Sequence, residues 1–234
     1  MLIQEGAGRS IRIDLLLAAI LSFVAGGVNG AGYFAFGYFS ANMTGNVSLI
    51  SDHISLGQLV VALVLLSIVG LFILGAFVAT LFIRIGRDNH LGNIYALTLL
   101  AEAALLLLVG VVDLSHPPVH KGVLIVGLLS FAMGIQNAAS TRISESRVRT
   151  THVSGIATDI GVGLATLWRC PDDTMRTATQ QRLLLHVTTI LAFLAGGIAA
   201  IVLYKSLAGG VFIAAALLIF LLGIRYLRRF PDSR

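Results

Sequence analysis

The stretch Ser22-Phe23-Val24-Ala25-Gly26-Gly27-Val28-Asn29-Gly30-Ala31 is written a second time. It returns as Ser130-Phe131-Ala132-Met133-Gly134-Ile135-Gln136-Asn137-Ala138-Ala139, with Ser, Phe, Gly, Asn and Ala in register at an offset of 108 (from 22 to 130). Further along, Met43-Thr44-Gly45 is echoed by Val153-Ser154-Gly155 at an offset of 110 (from 43 to 153). Phe72-x-x-Gly75-Ala76 is echoed by Phe193-x-x-Gly196-Gly197 at 121 (from 72 to 193). The growing offset places insertions in the second copy. A chain of two like halves usually keeps something where the halves meet, and in membrane proteins that is a substrate or ion site.

The composition fixes the solvent. Hydrophobic residues make up 57% of the chain and charged residues 12%, and the mean hydropathy is +0.93. Those values lie outside the soluble range. Apolar runs of about 20 residues span a bilayer core as helices. Six runs qualify, at 15–37, 59–83, 94–114, 123–141, 183–204 and 207–227. Period-two alternation is absent, so the pattern is that of a helical bundle and not of a β-barrel. The expected class is an all-α polytopic membrane protein, one transmembrane domain over 1–234, with repeat 1 at about 15–114 and repeat 2 at about 123–227.

Charge sets the expected orientation. With the N-terminus in the cytoplasm, all fourteen arginines fall in inner segments. Both lysines, Lys121 and Lys205, fall in outer loops. This bias predicts cytoplasmic termini at both ends. The net charge of +5 is then accounted for by topology and anionic head groups, and no nucleic-acid partner is needed. Two less apolar stretches, 40–57 and 150–168, would spoil the charge pattern as full spans. They read as re-entrant, interfacial or broken-helix pieces, which are tolerated where protein or a water cavity covers them. The first run is too long for a signal peptide and carries the first repeat copy. Cys170, beside Pro171, is the single cysteine, so disulfide and multi-cysteine metal sites are not expected.

Each half holds three spans, an odd number. The halves should therefore run in opposite directions, related by a pseudo-twofold axis in the membrane plane, as in many secondary transporters. Thr44-Gly45 should lie toward the outside and Ser154-Gly155 toward the cytoplasm. Duplication as a mere way of building a bundle is the alternative.

Three segments carry a resemblance: Phe39-Ser40-Ala41-Asn42-Met43-Thr44-Gly45-Asn46, Ala132-Met133-Gly134-Ile135-Gln136-Asn137-Ala138 and Thr151-His152-Val153-Ser154-Gly155. Together they resemble the YoaK-like family, bacterial six-helix membrane proteins built around a domain of unknown function, over about 15–227. The resemblance implies the topology and a bacterial inner membrane, and it implies no substrate. The family's first helix usually carries an acid in a Gly-x-x-Asp-Ala type motif. Here that place is Asn29, followed by Gly30, so any proton coupling by such an acid is lost.

Several polar residues sit where hydrocarbon makes them costly. Asn29 and Asn137 are repeat mates, fit either to bridge helices or to line a solute path. Gln136 adds donors and an acceptor beside Asn137. Thr44, Gly45 and Asn46, with Ser154 and Gly155, mark helix breaks or N-caps whose free amides hold ions or anions. Glu102, mid-way along the third run, reads as a proton or cation site, or as a neutral acid bonded between helices. Asp159 near His152 suggests an acid–imidazole pair, or an interfacial polar cluster. His116 and His120 are separated by Pro117 and Pro118, so no regular helix aligns them for a metal. His186 reads as a head-group residue, and Arg142, Arg147 and Arg149 with Glu145 as a solvated loop. Gly26-x-x-x-Gly30 suits close helix packing. Nucleotide loops, His-Glu-x-x-His helices and Gly-x-Ser-x-Gly elbows are absent from the sequence, so no cofactor, metal or catalytic role is expected. The expectation is an inner-membrane permease or channel for an unidentified small solute, partnered by lipid, with its site between the halves. A non-transporting membrane scaffold is the alternative. An aqueous cavity reaching Asn29, Asn137 and Glu102 would separate them.

Overall fold

The computed structural model describes residues 10–115, 122–169 and 172–229. Every regular element among them is an α-helix: α1 Ile11–Phe36, α2 Met43–Ser55, α3 Leu59–Asp88, α4 Ile94–Ser115, α5 Gly122–Ile143, α6 Val153–Trp168, α7 Asp173–Leu207 and α8 Gly210–Arg229. Six are long and apolar enough to cross a membrane. The other two, α2 with 13 residues and α6 with 16, fall short of the roughly 20 residues a spanning helix needs. They occupy the two stretches read as broken or re-entrant pieces.

Local chemistry sets the ends. Gly37 closes α1 in the left-handed conformation, φ 78°, and its N–H donates to the Tyr33 carbonyl, a conformation glycine enters without a Cβ penalty. Asn42 caps α2, its Oδ1 accepting from the Gly45 N–H at 3.0 Å. Asp172 caps α7 by accepting from the Thr174 N–H at 3.0 Å. That bond holds the Asp172 carboxyl below its usual range. Helix α7 begins at Asp173 and not near 183, because the polar turns 174–182 are helix-compatible although hydropathy does not register them.

Both halves follow one order: long, short, long, long. The packing crosses between them. Helix α1 packs chiefly on α7, α5 on α3, and α4 on α8. The Phe-x-x-Gly copies mark the crossings. A methyl on Gly26 would collide with the Phe193 carbonyl, and one on Gly196 with the Phe23 carbonyl. Gly134 stands in the same way against the Phe72 carbonyl, and Gly75 against the Phe131 carbonyl. Gly30 lies against Gly197. Each copy in one half thus meets a copy in the other, and backbone touches backbone because no side chain intervenes.

The core lies between α1, α4, α5 and α8, with Leu17, Leu21, Tyr95, Leu99, Leu129, Met133 and Phe212 fully enclosed. Helices α3 and α7 turn Ile73, Phe77, Leu191 and Ile198 outward. An exposed apolar surface of that extent fits lipid as the surrounding solvent.

Candidate functional site

Asn29 sits seven residues before the end of α1 (36 − 29), about 10 Å back along a helix rising 1.5 Å per residue. Its Oδ1 nonetheless accepts from the Ala41 N–H at 2.9 Å. Residues 37–42 therefore double back into the bundle before α2 sets out. The second half repeats the device. Asn137 lies six residues before the end of α5 (143 − 137), and its Oδ1 accepts from Thr151 Oγ1 at 3.0 Å and Thr150 Oγ1 at 3.3 Å. Its Nδ2 donates to the Met133 carbonyl at 2.9 Å. Each asparagine holds the segment that leads into a short helix.

The result is a half-open cavity of about 820 Å³ into which both short helices begin. Met43, Thr44 and Gly45 of α2 border it, as do Val153 and Ser154 of α6, Asn29, Asn137, Asn42, Arg149, Thr151 and His152. Phe72 of α3 and Phe193 of α7 form its apolar wall. Those phenylalanines belong to the crossing Phe-x-x-Gly motifs, so the packing that joins the halves also shapes the cavity.

Of the residues singled out in the sequence, Asn29, Thr44, Gly45, Asn137 and Ser154 border this cavity, whereas Asn46, Glu102, Gln136 and Gly155 do not. Asn46 is buried and donates from Nδ2 to the Phe39 carbonyl at 2.9 Å, which pins the returning segment. Gln136 faces α1 and donates from Nε2 to the Leu21 carbonyl at 2.8 Å. Glu102 is fully enclosed on α4, and among the described residues neither carboxyl oxygen has a hydrogen-bond partner. The cavity thus reaches two of the three residues named as its test. Helix α4 packs on α8 and α5, and the cavity wall is drawn from α1, α2, α3, α5, α6, α7 and the segment between α5 and α6.

Gly155 borders a second cavity of about 590 Å³, which shares Arg149 and His152 with the first. Charged groups gather there. Arg147 pairs with the buried Asp14 at 3.2 Å, and Arg182 with Asp159 at 3.2 Å. His186 Nε2 stands 3.8 Å from Asp159, and His186 is buried within α7. Asp159 thus meets Arg182 and His186, not His152, because α6 packs along α7. Arg149, expected in a solvated loop, is exposed in the segment between α5 and α6 and also borders both cavities. No sequence signal separated it from Arg142, since its place depends on how 144–152 folds back. His116, His120 and Cys170 lie outside the described residues.

Six long apolar helices, with two short ones that begin at a cavity among them, define the class: a polytopic α-helical membrane protein. The chain belongs to the family described as protein of unknown function (DUF1275), whose pattern matches residues 17–224. It is 30% identical over 142 residues to the UPF0700 transmembrane protein YoaK of Bacillus subtilis (strain 168). That match covers 59% of this chain and 62% of the relative, so the similarity spans less than two thirds of the relative's length. No solved structure matches the chain.

Proposed function

We propose that this protein is a permease or channel for a small polar solute in the bacterial inner membrane, with the cavity between its halves as the solute site. One observation carries the reading. Two short helices from repeat-related positions begin at one cavity, and their leading segments are held there by repeat-related asparagines. Interrupted helices that start at the middle of a bundle are a hallmark of transporter sites. A scaffold has no need for a cavity at which two broken helices begin.

Opposite orientation of the halves is part of the proposal. Near one end, Tyr204 Oη donates to Asp113 Oδ2 at 2.7 Å, and Lys205 lies over Phe34 at 5.9 Å. Those contacts bring the C-terminal parts of α1, α4 and α7 together, and α2 runs from the cavity toward the start of α3 on that side. Helix α6 instead runs toward the start of α7, where Asp159, Arg182 and His186 meet. The arginine distribution supports a cytoplasmic face at the α6 end and cytoplasmic termini.

The test is reconstitution into vesicles, with flux followed for a panel of small anions, cations and neutral solutes. S154W puts a bulky ring at the mouth of α6 and should reduce flux to the level of empty vesicles. Wild-type protein that moves no solute in the panel overturns the proposal.

A further inference from the structure

We infer that the cavity binds a small oxyanion, a carboxylate, nitrate or phosphate in size, between the N-termini of α2 and α6; this rests on reading the cavity as the solute site. The electrostatics of the wall decide the sign. A helix N-terminus presents unpaired amides and the equivalent of about half a positive charge. Two such termini border this one cavity. In α2 the Asn42 side chain caps the Gly45 N–H, and Met43 and Thr44, the first two residues of the helix, border the cavity. In α6 the residue at the cap position, His152, makes no side-chain cap. Val153 and Ser154, whose amides begin that helix, border the cavity as well.

Side chains supply an independent pointer. Asn29 is only 8% exposed. The atom facing the Ala41 N–H must be its oxygen, because that N–H can only donate. The Nδ2 group is thereby turned elsewhere, and it has no hydrogen-bond partner among the described residues. Asn29, more than nine-tenths buried as a residue, borders the cavity, so its unpaired donor is available to an acceptor there. Arg149 adds a full positive charge at the rim, and among the described residues those that border the cavity include no Asp or Glu. The acids nearby, Asp14, Glu145 and Asp159, border the second cavity. Among the described residues Asp14 and Asp159 already face Arg147 and Arg182. Amides, an unpaired amide side chain and a guanidinium are donors only. An oxyanion offers them two or more acceptor oxygens at once, which a cation cannot do.

The experiment is calorimetric titration of sodium nitrate, sodium formate and sodium phosphate into the full chain in lipid nanodiscs, in chloride-free buffer. At least one anion should bind saturably. N29D keeps an oxygen for the Ala41 N–H and replaces the free donor by a charged acceptor. It should weaken binding about tenfold or more, the loss of roughly one charge-assisted bond. R149Q, at an exposed position, should weaken it similarly. R84Q, on α3 away from the cavity, should change nothing. Absence of saturable heat for all three anions overturns the inference, as does R149Q binding as tightly as wild type. Anion binding without vesicle flux leaves this inference standing and overturns the permease reading. Flux of a cation or neutral solute without anion binding does the reverse.

Discussion

Ala208 joins α7 to α8 with φ 45° and ψ −129°, a conformation in which a Cβ is strained and a glycine is not. Two glycines, Gly209 and Gly210, follow it. A208G should raise the melting temperature in detergent by relieving about 1 kcal/mol of that strain. An unchanged or lower melting temperature would show that the added freedom of the unfolded chain outweighs the relief. Glu102 poses a different residue-scale question. Both its oxygens are sealed in the core without partners among the described residues, and each such group costs roughly 1–3 kcal/mol. E102L should therefore match or exceed the thermal stability of the wild type. E102Q should leave vesicle flux and its pH profile unaltered, because Glu102 does not border the cavity. A flattened pH profile in E102Q would bring α4 into the transport path and extend the site beyond the cavity.

At the scale of elements, the crossings of α1 with α7 and of α3 with α5 depend on four glycines. G26A drives a methyl into the Phe193 carbonyl, and G134A drives one into the Phe72 carbonyl. Backbone cannot move aside as a flexible side chain can, so each should cost about 1–3 kcal/mol or more. G70A is the control, since a methyl there meets nothing within 4 Å. Equal thermal unfolding of G26A and G70A would remove the close crossing from the account. The six long helices were legible in the sequence because hydropathy reports the solvent directly: 59–83 and 94–114 became Leu59–Asp88 and Ile94–Ser115. The repeated Phe-x-x-Gly motifs were legible too, and they mark the crossings. Likeness, however, does not reveal partnership, and nothing in Phe23-x-x-Gly26 says that it meets Phe193-x-x-Gly196. The site was half legible for the same reason. Asn29 and Asn137 stood out as polar groups in apolar runs. Arg149 and Asn42 did not, because their positions come from segments that fold back under tertiary hydrogen bonds. Gln136 and Asn46 looked like lining and instead spend their amides on the Leu21 and Phe39 carbonyls.

For the whole molecule, the crossed packing means that neither half is a self-sufficient unit. The principal neighbour of α1 is α7, and that of α5 is α3. Each half alone would leave two Phe-x-x-Gly surfaces, shaped for backbone contact, without their partners. In lipid, helices associate through packing and not through hydrophobic exclusion, so a surface that has lost its complement has little else to hold it. The chain divided between Ser115 and Gly122 should therefore behave in a specific way. Expressed together, the two pieces should co-purify and recover the melting transition of the intact protein. Expressed singly, each should be degraded, or should label readily at cysteines introduced beside the crossings, at Ala25 in one piece and Ala200 in the other, both buried in the intact fold. Adding G26A to the first piece should impair assembly, and adding G196A to the second should do the same, because the two glycines face each other's strand of backbone across one crossing. A first piece that is stable and protected from labelling on its own would mean that its helices find sufficient partners within the half. The interlocking of the halves, and with it the shared wall of Phe72 and Phe193 that bounds the cavity, would then lose its structural basis.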